Sequence, residues 1–258
     1  MGSPERQSKE DQPRERQLHP EGLTAEQEEL ADLLITAKTR AKVKRRIKLS
    51  DGSYRFYNII RDTHPFDLAQ EGEFAFKLHE TDPAAPLSPE YFNFRNLPEN
   101  VLDLIGSSLA KIPIKEKPDF CTGIPDAGVD LAKAYSRHSN VPYREVFRKI
   151  ETEKGRRIVA IKGNVGENKK LLIVDDVVTK ALSSFEAIEA VRSVKFTTVG
   201  ILVIVDREQM GAEQRAKIEH MLYFVFKHSQ LLDYYLRTDR MSRAKYNEIK
   251  AYLAASRL

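Results

Sequence analysis

Along residues 97–258 the apolar positions follow two alternating patterns. Short runs that are apolar almost throughout predict strands buried on both faces, and stretches that are apolar every three or four residues predict amphipathic helices. The order is helix 98–111, strand 118–122, helix 126–139, strand 143–148, strands near 158 and at 171–175, helix 183–193, strand 197–205 and helices after 212. Strands that alternate with helices imply an α/β fold with a doubly wound, mostly parallel sheet.

Upstream the pattern changes. Residues 1–22 are nearly all polar and predict a disordered arm, because they cannot bury enough apolar surface to offset the entropy of ordering. Thr24-Ala-Glu-Gln27 has the form of a capping box, with Leu30, Leu33, Leu34 and Ile35 behind it at helical spacing, so a helix is expected over 25–40. Arg40 to Lys48 holds six cations and no acid, and Asp51-Gly52 beyond it is a hairpin signal. Phe74-Ala-Phe-Lys-Leu78 and Tyr91-Phe-Asn-Phe94 have strand character and flank a Pro-rich connection, which predicts a second hairpin over 74–95. The expected organisation is an arm at 1–22, an N-terminal helix and basic hairpin extension at 23–73, an α/β core at 74–212 opened by the 74–95 hairpin as a hood, and a helical tail at 213–258.

Composition narrows the functional classes. With 258 residues, 41% of them hydrophobic, the chain can build a full core. Its one cysteine, Cys121, forms no intrachain disulfide and no cysteine metal cluster, which fits a reducing cytoplasm. No apolar run approaches the roughly 18 residues of a membrane span, and no signal-peptide core opens the chain, so a soluble cytoplasmic protein is expected. A net charge of +4 allows anionic substrates without demanding nucleic acid, and the basic run at 40–48 reads as a solvated face.

The chemistry gathers where apolar runs end. Leu171-Leu-Ile-Val stops at Asp175-Asp176, and the loop Lys180-Ala-Leu-Ser-Ser184 leads into the helix that Phe185 continues. Such a junction lies at the carboxyl edge of a parallel sheet, where loop amides and a helix N-terminus suit a phosphate and paired acids suit ribose hydroxyls or a magnesium ion. Thr122-Gly123-Ile-Pro-Asp-Ala-Gly128 forms a second turn at which backbone amides can approach an anion. Two such cradles fit a substrate with phosphate at one end and diphosphate at the other. The polar, basic stretch Phe147 to Arg157 predicts a mobile loop able to close over a departing diphosphate, with a plain surface hairpin as the alternative. Asp206-Arg207-Glu208-Gln209 ends a buried strand, where the arginine could fork onto a planar carboxylate or pair with Asp175, Asp176 or Asp206.

Taken together these residues resemble the type I phosphoribosyltransferases, and among them the orotate-using enzymes most closely, over about residues 74–212. The resemblance implies that Asp175 and Asp176 bind ribose hydroxyls, that Thr179, Lys180, Ala181, Leu182 and Ser183 hold the 5-phosphate, and that Thr122 and Gly123 begin the turn receiving diphosphate. It implies catalytic roles for Arg148 and Lys149, and places the base against His79, Tyr91, Phe92, Thr179 and Arg207. Phe76-Lys-Leu78 with Ser88 to Asn93 carries the likeness to the hood hairpin, and Ile47 to Leu49 with Phe56 to Asn58 offers a weaker second match. The reaction implied is displacement of diphosphate from 5-phosphoribosyl 1-diphosphate by a base, with Mg2+ carried mainly by the substrate, no dedicated metal cage, and a homodimer as the assembly.

The chain departs from the family pattern at three places. Thr152 replaces the later loop lysine, for which Lys154 is the nearby substitute; Ala181 stands at a loop glycine; and His79 replaces the hairpin lysine. These departures leave open a second class, a binding or regulatory protein that keeps the ribose-phosphate site with weakened catalysis. A phosphoacceptor receiver domain also begins from paired acids after a strand, but only 83 residues follow Asp175, too few for that fold.

Overall fold

The computed structural model describes residues 22–76, 78–152, 155–161 and 168–255. Residues 1–21 of the polar arm, and Lys154, lie outside the described residues. Helix α1 (Ala25–Thr36) starts as its capping box requires: the Thr24 hydroxyl accepts from the Gln27 amide at 3.2 Å and the Gln27 side chain accepts from the Thr24 amide at 2.9 Å. The helix stops four residues short of the expected end, because β1 (Thr39–Lys48) takes over and pairs antiparallel with β2 (Tyr54–Thr63) around the Asp51-Gly52 turn.

This hairpin is the long one in the structure, and the expected 74–95 hairpin does not form. Gly72 to Ala75 instead lines the outer edge of β1, with the Arg46 amide donating to Gly72 O at 2.8 Å and the Ala75 amide to Lys44 O at 3.1 Å. Of the segment beyond, α2 (Leu78–Thr81) is a single turn, and β4 (Glu90–Phe92) pairs with β3 (Phe66–Leu68). Prolines 83, 86 and 89 withhold the amide donors a long ladder needs. Arg61 of β2 fastens the extension to β3: it bonds Asp67 at 2.6 Å and Glu73 at 2.9 and 2.6 Å, and both acids are nearly solvent-free.

The central sheet has four parallel strands in the spatial order β10, β9, β8, β5. These are β5 (Phe120–Gly123), β8 (Lys170–Val178), β9 (Thr197–Asp206) and β10 (Leu222–Lys227). A parallel bridge from Tyr143 to Cys121 adds a fifth position beyond β5. The chain thus leaves β5 through α4 (Ala127–Ser139) toward that outer position and then returns to β8 on the inner side. The winding reverses between β5 and β8, which makes the gap at their carboxyl ends the natural ligand site of a doubly wound sheet.

Both faces of the sheet are covered. On one, Leu172, Val174, Leu202 and Ile204 pack with residues of α1, α3 (Glu99–Ala110), α4, α7 (His228–Arg237) and α8 (Arg243–Ala255). On the other, Leu171, Ile173, Ile201 and Val203 meet α5 (Leu182–Ser193) and Phe147 and Ile158 of the antiparallel pair β6 (Phe147–Thr152) and β7 (Gly155–Ala160). Cys121 is fully enclosed, and burial pushes its thiol up to about 12.

Two further expectations need correction. Over 147–152 and 155–160 the alternative reading holds, a surface hairpin in place of a mobile loop: a six-rung ladder runs from Phe147↔Ala160 to Thr152↔Gly155, and such a ladder needs no apolar period along its exposed strands. The C-terminal segment is not wholly helical, because β10 lies parallel to β9 before α7 and α8, with α6 (Ala212–Ile218) and a 3-10 turn (Glu219–Met221) leading into it. Its run Leu222-Tyr-Phe-Val-Phe226 is aromatic and β-branched, the composition of a strand. The sheet core therefore continues past residue 212, and its edge is tied to α1 by the Gln27 amide nitrogen on Val225 O at 2.8 Å. Among the described residues no helix is long and apolar enough to cross a membrane.

Candidate functional site

Strand β8 carries Asp175 and Asp176 to the carboxyl edge of the sheet, Asp175 in register with Val203 of β9. Both are half-buried. Burial first, and then the Asp176 charge, push the Asp175 carboxyl well above the ordinary carboxylate range, against the pull of the Asp176 amide and the Lys149 ammonium. Burial also raises Asp176, while the Val177 amide and the guanidinium of Arg95 act in the other direction. The Asp176 amide donates to Asp175 Oδ1 at 2.9 Å and the Val177 amide to Asp176 Oδ1 at 2.8 Å, so each side chain is fixed by the backbone beside it. Two adjacent acids that resist ionising together form a site that gains from an approaching cation or from hydroxyl donors.

Beyond the acids the chain turns through Thr179 and Lys180 into α5. Ala181 sits immediately before the helix at φ 57°, ψ 18°, the left-handed conformation natural to glycine. The turn encloses a cavity of about 300 Å3 between Asp175 and the segment Val177 to Ser184. Amides of the first turn of a helix have no acceptor within the helix and carry the positive end of the helix dipole, and Leu182, Ser183 and Ser184 of that turn line this cavity. Thr179, Lys180, Ala181, Leu182 and Ser183 are thus gathered around one space, although Leu182 is 74% exposed.

The second turn is held close by glycines. A methyl group at Gly128 would stand 2.5 Å from Val174 O and 3.4 Å from Asp175 Oδ1, and one at Gly123 would overlap the Gly128 carbonyl. Only hydrogen at these Cα positions lets the turn and the start of α4 lie against β8 beside the acids. Thr122 and Gly123 themselves are the last residues of β5, with Gly123 opposite Val174. The Thr122 hydroxyl, fully buried, accepts from the Val146 amide at 3.2 Å and braces the sheet.

Of the hairpin cations, Lys149 comes to this edge. Its ammonium is 3.8 Å from Asp126 of the second turn and lowers the Asp175 carboxyl. Arg148, its neighbour in β6, occupies the opposite face of the ribbon and is exposed. Thr152 is exposed at the distal end of the hairpin, opposite Gly155.

The base-binding set separates into two groups. His79 is 1% exposed and holds the loop around it, with Nδ1 accepting from the Phe76 amide at 2.8 Å and Nε2 3.2 Å from Pro86 O. Phe92 is a core residue packed on Phe66, Phe94 and the His228 ring. Neither offers a surface to a ligand, since His79 is bonded within its own turn and Phe92 faces the core. Tyr91 is half-buried and meets Phe74 and Phe76 in tilted ring contacts, with Thr179 and Arg207 at the strand ends. The Arg207 amide donates to Val178 O at 2.9 Å, which sets it beside Thr179.

The expected acid partners of Arg207 are not the ones found. Its guanidinium donates to Glu90 at 2.7 Å and lies over the Phe92 ring at 5.6 Å. Asp206 is bonded by Arg215 at 2.6 Å instead. Arg95 was missed as a site residue. Its one available signal is its place two residues after Asn93, just past the strand that bears Tyr91. Among the described residues no group of three or more His, Cys, Asp or Glu side chains is arranged to hold a metal ion.

Comparisons with known proteins agree with this geometry. Residues 90–233 match the phosphoribosyl transferase domain family. The orotate phosphoribosyltransferase of Sulfurisphaera tokodaii is 30% identical over 170 residues, covering 65% of this chain and 85% of the relative. Among solved structures, Leishmania donovani UMP synthase superposes with a TM-score of 0.63 at 23% identity, over 88% of this chain and 42% of that one. The orotate phosphoribosyltransferase of Aeropyrum pernix gives 0.52 at 19% identity, over 83% and 99%. At these identities the two structures speak to the fold.

Proposed function

The chain belongs to the phosphoribosyl transferase domain family, and on that premise we propose that it transfers the 5-phosphoribosyl group from 5-phosphoribosyl 1-diphosphate to orotate, releasing diphosphate. The observation that carries this reading is the pair Asp175 and Asp176 at the winding reversal between β5 and β8, flanked on one side by the cavity at 177–184 and on the other by the glycine-held turn. Orotate phosphoribosyltransferases of 30% identity that align over most of their length support the choice of base.

In the reaction, the bond from the anomeric carbon to the diphosphate oxygen breaks as a ring nitrogen of orotate bonds that carbon, and the nitrogen's proton leaves to solvent. The first turn of α5 with Thr179 to Ser183 binds the 5-phosphate, and Asp175 and Asp176 accept from the ribose hydroxyls. The turn after Gly123 receives the diphosphate, with Lys149 as the cation beside it. Tyr91 and Arg207 orient the base. Catalysis is then positioning together with charge placed against the leaving group. The residues present fit a magnesium ion that arrives with the diphosphate, because two adjacent carboxylates whose proton affinity is raised by burial, Asp175 further by the Asp176 charge, favour a dication; when bound, it would neutralise the leaving diphosphate. A lone buried cysteine is consistent with a cytoplasmic setting. Exposed Ile150 and Leu182, near the hairpin and the head of α5, are suited to a homodimer contact.

The left-handed Ala181 favours a second reading, a site that binds the ribose phosphate and turns over poorly. Diphosphate release from 5-phosphoribosyl 1-diphosphate with magnesium and orotate, beside an Asp175→Asn/Asp176→Asn double variant, decides between the two. Release that the double variant abolishes is expected. Ligand binding without release from any base would replace the transferase with a sensing module.

A further inference from the structure

Arg207, the residue read above as the grip for the base carboxylate, is not a free guanidinium. Glu90 holds it: Oε1 accepts from Arg207 NH2 at 2.7 Å while Oε2 accepts from His228 Nε2 at 2.8 Å. The Glu90 and His228 side chains are completely buried, and Arg207 keeps 16% of its side chain exposed. Arg207 Nε is enclosed with no hydrogen-bond partner among the described residues. The Glu90 carboxylate is therefore bonded to the Arg207 guanidinium at the rim and to the histidine behind it.

We propose that Glu90 is a specificity-determining residue that lowers the enzyme's preference for a carboxylate-bearing base by neutralising Arg207. The inference rests on the reading of Arg207 as the base contact. A second carboxylate placed on the same guanidinium would lie within one guanidinium's width of Glu90, whose side chain is completely buried. Like charges that close repel strongly at the effective dielectric of a partly buried site. An anionic base thus meets a dipole where an unpaired arginine would offer a full charge. An uncharged base pays no such penalty. Because Glu90 has no solvent exposure, dissolved salt does little to screen it.

The test compares orotate with its uncharged carboxamide on the wild-type chain, on Glu90→Gln and on Glu90→Met. In the wild type the carboxylate should be preferred by less than about threefold in kcat/KM, and removal of the Glu90 charge should raise that preference by about tenfold, the order expected of one charge removed a few ångströms away. The gain should lie in KM for the base, with KM for 5-phosphoribosyl 1-diphosphate unchanged. A residue that merely props up the fold would change both substrates alike. If neither variant folds, the wild-type ratio alone decides, because a large preference for the carboxylate there overturns the proposal. An unchanged ratio in a folded variant, or a lower one, does the same. Should the wild type release no diphosphate with any base, the transferase reading fails separately. The calorimetric affinities for orotate and the carboxamide then supply the same comparison.

Discussion

Gly128→Ala tests whether the turn beside Asp175 owes its position to the missing side chain. The new methyl carbon would stand 2.5 Å from Val174 O, and ordinary contact begins at 3.4 Å, so the turn or strand β8 must move by about 0.9 Å. Overpacking of that size costs about 1–3 kcal/mol, and a chain of this size loses about 2–4 °C in melting temperature per kcal/mol. Melting should therefore fall by several degrees. The same displacement separates the turn from the acids, and about 1 Å of misplacement costs on the order of 100-fold in rate. The assay pairs differential scanning fluorimetry with kcat/KM for diphosphate release. Gly52→Ala is the control: Gly52 has φ 84° and no heavy atom within 4 Å, so alanine there adds left-handed strain alone and should lower stability by about 1–2 kcal/mol without touching activity. A Gly128→Ala protein that melts and turns over like the wild type would refute the reasoning, and so would one that loses stability while kcat/KM stays intact.

Two other outcomes are expected. Burial and Asp176 raise the Asp175 carboxyl, so the folded chain binds that proton more tightly than the unfolded chain does, and stability is withdrawn as pH rises above the ordinary value of 3.8. Asp175→Asn should accordingly melt above the wild type at pH 7 with the gap closing toward pH 4, and a gap that widens on acidification would reverse the assignment. Arg61→Met leaves Asp67 and Glu73 buried without their cation, which should cost about 3–5 kcal/mol by urea unfolding. A loss under about 1 kcal/mol would place that pair in water.

The sheet and the acidic edge were readable in the chain because their signals are local. Leu171 to Val174 is apolar on both faces, as a central parallel strand must be, and Asp175 marks the point where it leaves the core. The Thr24 capping box and the Asp51-Gly52 turn are likewise complete within four and five residues. What failed depended on distant partners. Phe74 to Phe76 has strand composition, yet the edge of β1, thirty residues upstream, claims its backbone. His79 and Phe92 looked like ligand contacts because a buried histidine or phenylalanine reads the same as an exposed one until its neighbours are known. Glu90, one acid in a segment read for its aromatics, gave no sign that His228 and Arg207 would close on it from positions more than a hundred residues away.

The enclosed Cys121 makes the molecule its own reporter of the opening of β5. Because it is the one thiol in the chain, every alkylation event comes from β5, at one end of the four-stranded sheet, where Cys121 bridges Tyr143. With its proton held up to about 12 and no surface to offer, the folded form is unreactive, and labelling proceeds only through states in which β5 has separated from its neighbours. The labelling rate of the native protein, set against that of a short peptide thiol, therefore measures the free energy of opening the sheet in plain buffer, with no denaturant and no introduced probe.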